Sequence, residues 1–182
     1  MFLSSSMKIA VLGGGPAGLT LARLLQRQEA DVTVYERDAD RAARPQGGTL
    51  DLDADSGQRA IREMGLEAEF AAHSRPEGQA LRILNKSGEM LWDEKSEDGD
   101  GSRPEIDRGV LRDLLLDSLL PDTVQWNAHV TETTPLRGER WQVVTEDGRH
   151  GDYDLVVGCD GASSRVRPLL SPACQFIRAL PI

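Results

Sequence analysis

The sequence predicts an α/β fold, a parallel sheet interrupted by a β-hairpin or meander, and three observations predict it. Ile9-Ala-Val-Leu12 is followed by a glycine-rich turn, a helical pattern and a second apolar run at Val32-Thr-Val-Tyr35. Asp154-Leu-Val-Val-Gly158 is another short apolar run of the kind found in strands buried on both faces. Between them, Leu81-Arg-Ile-Leu84 and Glu89-Met-Leu-Trp92 flank Asn85-Lys-Ser-Gly88, the pattern of a hairpin around a turn.

The first unit is the most informative. Gly13, Gly15 and Gly18 stand in G-x-G-x-x-G spacing directly after the first apolar run. In that setting Gly13 permits the tight turn out of a strand and Gly15 lets backbone approach a phosphate. Gly18 lets the helix pack closely on the strand. Pro16 suits the first turn of that helix, where its missing N–H is not needed. Leu19, Ala22, Leu24 and Leu25 supply an apolar helix face, and the helix N-terminus offers unpaired N–H donors to a pyrophosphate. Glu36 closes the second apolar run at the expected ~20 residues beyond the glycines, which suits a ribose 2′-OH. An acidic residue there disfavours a 2′-phosphate through like-charge repulsion, so FAD or NAD is expected at this site rather than NADP.

The remaining elements follow in order. Arg41–Gly48 is turn-rich and leads to Thr49-Leu-Asp-Leu52. Asp55 or Ser56 can cap a helix running to Met64, with Gly65 as its stop. The stretch from Glu94 to Arg103 is acidic and contains glycine, as exposed loops do. Asp107 is placed to cap a second helix carrying Val110, Leu111, Leu114, Leu115 and Leu119 on one face, with Pro121 beyond its end. Val124-Gln-Trp126 and Val130 suggest strands, and Trp141–Thr145 and the segment around Tyr153 flank the turn Glu146-Asp-Gly148. No internal repeat and no clear linker divide the chain.

Composition bounds the partners. The 182 residues carry 30 acidic and 21 basic side chains, net −9, which argues against nucleic acid or an anionic membrane. No apolar run approaches the ~20 residues of a membrane span. Met1–Ser6 lacks the basic start and long apolar stretch of a secretion signal, so a cytoplasmic protein is expected and residues 1–7 read as an extension. Cys159 and Cys174 form no disulfide framework, and His73, His129 and His150 are scattered. No metal site is expected.

Leu155-Val-Val-Gly-Cys-Asp-Gly-Ala-Ser-Ser-Arg-Val-Arg167 shifts the expectation towards flavin, because it resembles the Asp-Gly fingerprint of flavin-dependent aromatic hydroxylases. Asp160 and Gly161 follow a strand, and an acidic residue with a tight glycine turn at a strand end can meet a pyrophosphate and ribityl region through backbone donors. Tyr35-Glu-Arg-Asp38, Gly47–Leu52, Ser56-Gly-Gln58 and Pro104-Glu-Ile106 with Arg108 and Leu111-Arg112 resemble the tetracycline-degrading flavin monooxygenases, over nearly all of Lys8 to about Leu170. The resemblance implies a Rossmann-like FAD-binding domain over residues 8–173. It implies that Glu36 and Arg37 lie near the adenosine end of FAD and that Asp51 and Arg108 contact its reactive half. Arg44 would recruit NADPH, supplying the positive charge that Glu36 cannot. In such enzymes NADPH reduces the flavin, and one atom of dioxygen is placed on a small organic substrate, a tetracycline-type antibiotic among the candidates. No Ser-His-Asp or paired-carboxylate arrangement is seen, and no catalytic side chain is assigned.

Relatives of this kind are about twice as long, and the resemblance ends near Ala173. Residues 174–182 are expected to be an aberrant tail. A frameshift near Cys174 is one origin, since one coding of the tail reads Pro-Val-Tyr-Thr-Gly-Val-Thr-Tyr in another frame. On this expectation the domain is incomplete relative to the family. Two other readings stand beside it: an NAD-dependent Rossmann oxidoreductase, supported by the first motif alone, and a catalytically inert nucleotide-binding fragment.

Overall fold

The computed structural model describes residues 7–43, 47–76, 81–94 and 102–171. They form two compact units, one from the chain up to Arg44 together with Leu119 onward, the other from Pro45 to Ser118.

The first unit begins with β1 (Lys8–Leu12), α1 (Pro16–Gln26) and β2 (Asp31–Tyr35). Its four-stranded sheet is entirely parallel, and β1 lies at its centre between β2 and the late strand Leu155–Gly158. Period-two alternation explains the layering. Ile9, Val11, Val32 and Val34 point to one face, where Ala22, Leu21 and Leu25 of α1 cover them. Ala10, Leu12 and Tyr35 point to the other, where they meet Ala128, Val130, Val143, Tyr153 and Val166. Because β1 is covered on both faces, every position from Ile9 to Leu12 is apolar and at most 3% exposed. Burying such side chains contributes roughly 1.5–3 kcal/mol for each large one.

The second unit opens with β3 (Thr49–Asp51), α2 (Gly57–Met64), α3 (Glu67–His73) and the hairpin β4 (Leu81–Leu84) and β5 (Met90–Glu94). It ends with β6 (Glu105–Asp107) and α4 (Arg108–Asp117). β3 and β6 pair antiparallel, over a core that includes Ile61, Met64, Phe70, Ile106, Leu111 and Leu115. Arg75 ties the ribbon's end, its guanidinium reaching Glu105 at 3.2 Å and Asp107 at 2.8 Å. As expected, α2 follows Ser56 and stops at Gly65, which adopts the left-handed conformation (φ 74°) that glycine tolerates. Ser56 and Asp107 occupy the two cap positions without a side-chain capping bond.

Back in the first unit, β7 (Val124–Gln125) completes the parallel sheet at its far edge. β8 (Val130–Pro135), β9 (Trp141–Thr145) and β10 (His150–Tyr153) form an antiparallel meander, and β11 (Leu155–Gly158) returns to pair with β1. A 3-10 turn at Gly161–Ser163 and the short α5 (Arg167–Leu170) follow.

Two expectations are corrected. The second helix ends at Asp117, and Leu119, expected on its face, packs instead beside Ile9, Val11 and Val34 of the parallel sheet. α3 was not expected, because Phe70 is its sole buried residue and one large apolar side chain among alanines sets no period. Arg44 and residues 174–182 lie outside the described residues, as does most of the N-terminal extension.

Candidate dinucleotide cleft

At the carboxyl ends of β1, β2 and β11 the first unit opens into a cleft of about 420 Å³. Gly13, Gly15, Glu36, Arg37, Asp160 and Gly161, six of the residues singled out from the sequence, line it. This is the end of a parallel sheet at which ligands bind in open α/β folds.

The glycine turn is fixed from several sides. The Gly13 N–H donates to the Tyr35 carbonyl at 2.8 Å, and Gly13 takes a positive φ of 110°. A Cβ there would collide with the Cys159 carbonyl. Gly18 does not line the cleft; it lies behind it, where a Cβ would collide with the Gly13 carbonyl. Gly15 differs, since a Cβ there would meet nothing within 4 Å. Gly15 sits just before α1, with Pro16 in the first turn, so the helix N-terminus begins at the cleft wall.

Glu36 is 6% exposed. Its Oε2 accepts the Gly14 N–H at 2.7 Å and its Oε1 accepts the Asp38 N–H at 2.9 Å. Opposite, Asp160 follows β11, and its Oδ2 accepts the Arg165 N–H at 2.6 Å. Its Oδ1 is buried without a hydrogen-bond partner, an acceptor that a ligand hydroxyl would satisfy. Gly161 starts the 3-10 turn with φ 74°, and Arg167 holds that turn by donating to the Gly161 and Ala162 carbonyls at 2.8 Å each.

Desolvation sets the chemistry of the wall. Cys159 is half-buried, and burial followed by the Asp160 charge pushes its thiol pKa up, so it behaves as a small packing residue. Tyr35 and Tyr153 share a 2.8 Å hydroxyl–hydroxyl bond with their rings edge-to-face at 6.1 Å. Burial, then the bond to Tyr153, raises the Tyr35 pKa well above the usual phenol value.

Ala128, His129, Val130 and Arg165 also line the cleft, and the sequence did not single the first three out. They lie far along the chain and carry no motif; backbone bonds from the Ala128 N–H to the Glu36 carbonyl and from the Asn127 N–H to the Asp38 carbonyl, both 2.8 Å, place the start of β8 beside the end of β2. Asp51 and Arg108 belong to the second unit, at opposite ends of the β3–β6 ribbon. Asp51 accepts from Arg103 at 3.0 Å, and the Arg108 N–H donates to the Gly48 carbonyl at 3.1 Å. Among the described residues no three His, Cys, Asp or Glu side chains gather as a metal site, and no helix is long and apolar enough to cross a membrane.

The residues present fit FAD on three counts: an open approach at Gly15, a helix N-terminus at the wall and an unsatisfied acceptor at Asp160. Comparison with known proteins agrees. The chain matches the FAD binding domain family over residues 6–175. It is 37% identical to Monooxygenase asqM of Emericella nidulans over 207 aligned positions, covering 100% of this chain and 46% of that protein. The tetracycline destructase Tet(51) superimposes with a TM-score of 0.67 at 28% identity, over 89% of this chain and 40% of that one. A Klebsiella pneumoniae HpxO variant complexed with FAD superimposes with a TM-score of 0.72 at 25% identity, over 90% and 42%. The chain thus spans less than half the length of the relatives it matches. Glycine turn, buried glutamate and Asp-Gly corner meet on one cleft, and this chain belongs to the FAD binding domain family.

Proposed function

We propose that residues 8–173 are the FAD-binding portion of a monooxygenase that uses NADPH and dioxygen to hydroxylate a small organic substrate. The single observation that carries the reading is the convergence of Gly15, Glu36 and Asp160 on one cleft. The likeness to tetracycline destructases supports a polycyclic, antibiotic-type substrate. In this reading α1 offers its N-terminal donors to the pyrophosphate. Glu36 takes the adenosine ribose, with Arg37 beside it, and Asp160 with Gly161 takes the pyrophosphate–ribityl side. Asp51 and Arg108 serve the reactive half, and Arg44 draws in NADPH. FAD, once bound, supplies electron acceptance from the reduced nicotinamide and the activation of dioxygen. The side chains of this chain hold and orient it and keep water from it. The acidic Glu36 opposes a 2′-phosphate at the ribose site, which separates the FAD position from the NADPH position.

Titration of the purified chain with FAD, followed by flavin fluorescence, tests the reading. Asp160→Ala removes the buried acceptor and is expected to weaken FAD by about tenfold to a hundredfold, equivalent to roughly 1–3 kcal/mol. Equal affinity in the variant, or preference for NAD over FAD in the parent, would overturn it.

A further inference from the structure

The residue between the first two motif glycines is free to vary in G-x-G-x-x-G, yet here it is Gly14, and the structure shows what occupies its side-chain space. A Cβ on Gly14 would lie 2.9 Å from Glu36 Oε2, 3.1 Å from its Cβ and 3.2 Å from its Cγ. Glu36 thus lies along the glycine turn, and both its carboxylate oxygens accept backbone N–H groups, from Gly14 at 2.7 Å and from Asp38 at 2.9 Å. Its own backbone joins two further segments, donating to the Gln125 carbonyl at 3.0 Å and accepting from Ala128 at 2.8 Å. One buried residue therefore ties the glycine turn, the chain after β2 and the approach to β8.

We infer that Glu36 is a positioning residue that pre-forms the phosphate-binding turn before any nucleotide arrives, with Gly14 as the matching half of the device. A carboxylate is needed because both amides are donors and an ionised carboxyl group accepts at both oxygens. Glutamine keeps the length and can still accept from a ribose hydroxyl, but it must turn its NH2 towards one of the two amides. The bond also withholds the Gly14 N–H from the cleft, leaving phosphate recognition to the N-terminus of α1. Pre-organisation of this kind raises affinity by removing an ordering cost from the binding step.

The inference rests on the FAD reading of the cleft, and its test separates the two. Amide exchange is measured by NMR on FAD-free protein, for the parent, Glu36→Gln and Gly14→Ala, alongside FAD titrations of each. Slow exchange at Gly14 and Asp38 is expected in the parent. Each variant is expected to exchange at least tenfold faster at Gly14 and to bind FAD at least tenfold more weakly. The double variant should be little worse than either single one, since both break the same contact. Unchanged protection at Ala10 and Val11 certifies that the sheet remains folded. Fast exchange at Gly14 in the parent would overturn the inference. So would faster exchange in the variants with FAD affinity intact, which would make the contact structural only. Failure of the folded parent to bind FAD, with Gly14 protected, would overturn the FAD reading and this role with it, leaving a clamp without a nucleotide.

Discussion

The Tyr35–Tyr153 pair shows how a single contact is worth different amounts depending on what is left behind. Both rings are buried, at 8% exposure each, and their hydroxyls satisfy one another across the sheet–meander contact. Tyr35→Phe or Tyr153→Phe alone strands the surviving hydroxyl, a cost of about 1–3 kcal/mol. Replacing both by Phe leaves no orphan, so the double variant should be less destabilised than the two single costs together. Chemical unfolding of the four proteins measures that coupling, and strict additivity would show that the bond contributes nothing. Gly151 completes the site, since a Cβ there would lie 2.9 Å from the Tyr153 hydroxyl and 3.0 Å from that of Tyr35. None of this was legible in the sequence. Tyr35 reads as the last residue of a strand and Tyr153 as the partner of a turn, 118 positions apart.

At the scale of elements, those with short-range signals were read well. β1, α1 and β2 carry their period and punctuation in adjacent residues, and the hairpin β4–β5 is announced by Asn85–Gly88. α3 carries one buried side chain and so shows no period, while the Leu119 error arose because helical spacing continues past the point where the chain leaves the helix. The hairpin also has a property that its pattern does not disclose. Ile83, Leu84, Met90, Leu91 and Trp92 are 46–62% exposed, and consecutive exposed positions put apolar surface on both faces. Among the described residues it pairs with no third strand, and isolated two-stranded hairpins are marginal in water. Exposed apolar surface of this extent promotes association. Replacing Leu91 by Lys and Trp92 by Glu should therefore suppress concentration-dependent light scattering while moving the unfolding free energy by no more than about 0.5 kcal/mol. Scattering equal to that of the parent would place the sticky surface elsewhere.

For the whole molecule, two sets of shifted groups bracket the pH range of stability. The bond from Arg75 holds the Asp107 carboxyl below its usual range, and bonds from Thr145 and then Arg149 do the same for Asp147. A lowered folded pKa contributes stability that is present above the unfolded value, about 3.9, and is lost as pH falls through the folded one. Tyr35 has the opposite sign. Its raised folded pKa leaves its contribution fully present below the unfolded value, about 10, and lost as pH rises beyond it. Melting temperature should therefore fall on both flanks, and the Tyr35→Phe/Tyr153→Phe double variant should flatten the alkaline flank only. An alkaline slope equal to that of the parent would show that the pair does not govern it.

The strand–turn–helix–strand opening, the acidic end of β2 and the Asp-Gly corner were legible in chain order, because each is written in neighbouring residues whose spacing has few physical solutions. The parallel strand at Leu155–Gly158 was expected too, but not its exposure: β11 is the sheet's edge strand and Leu155 is 43% exposed, so its apolar run does not mark cover on both faces. Folding alone sets β11 beside β1, bringing Asp160 to the same cleft as Glu36, and adds the start of β8 to that cleft's lining. The tertiary structure alone showed that Glu36 spends both carboxylate oxygens on backbone amides. The β1–β11 pairing and the Glu36–Ala128 contact join residues far apart in the chain, and chain order carries no signal for a contact that is made only once the sheet has closed.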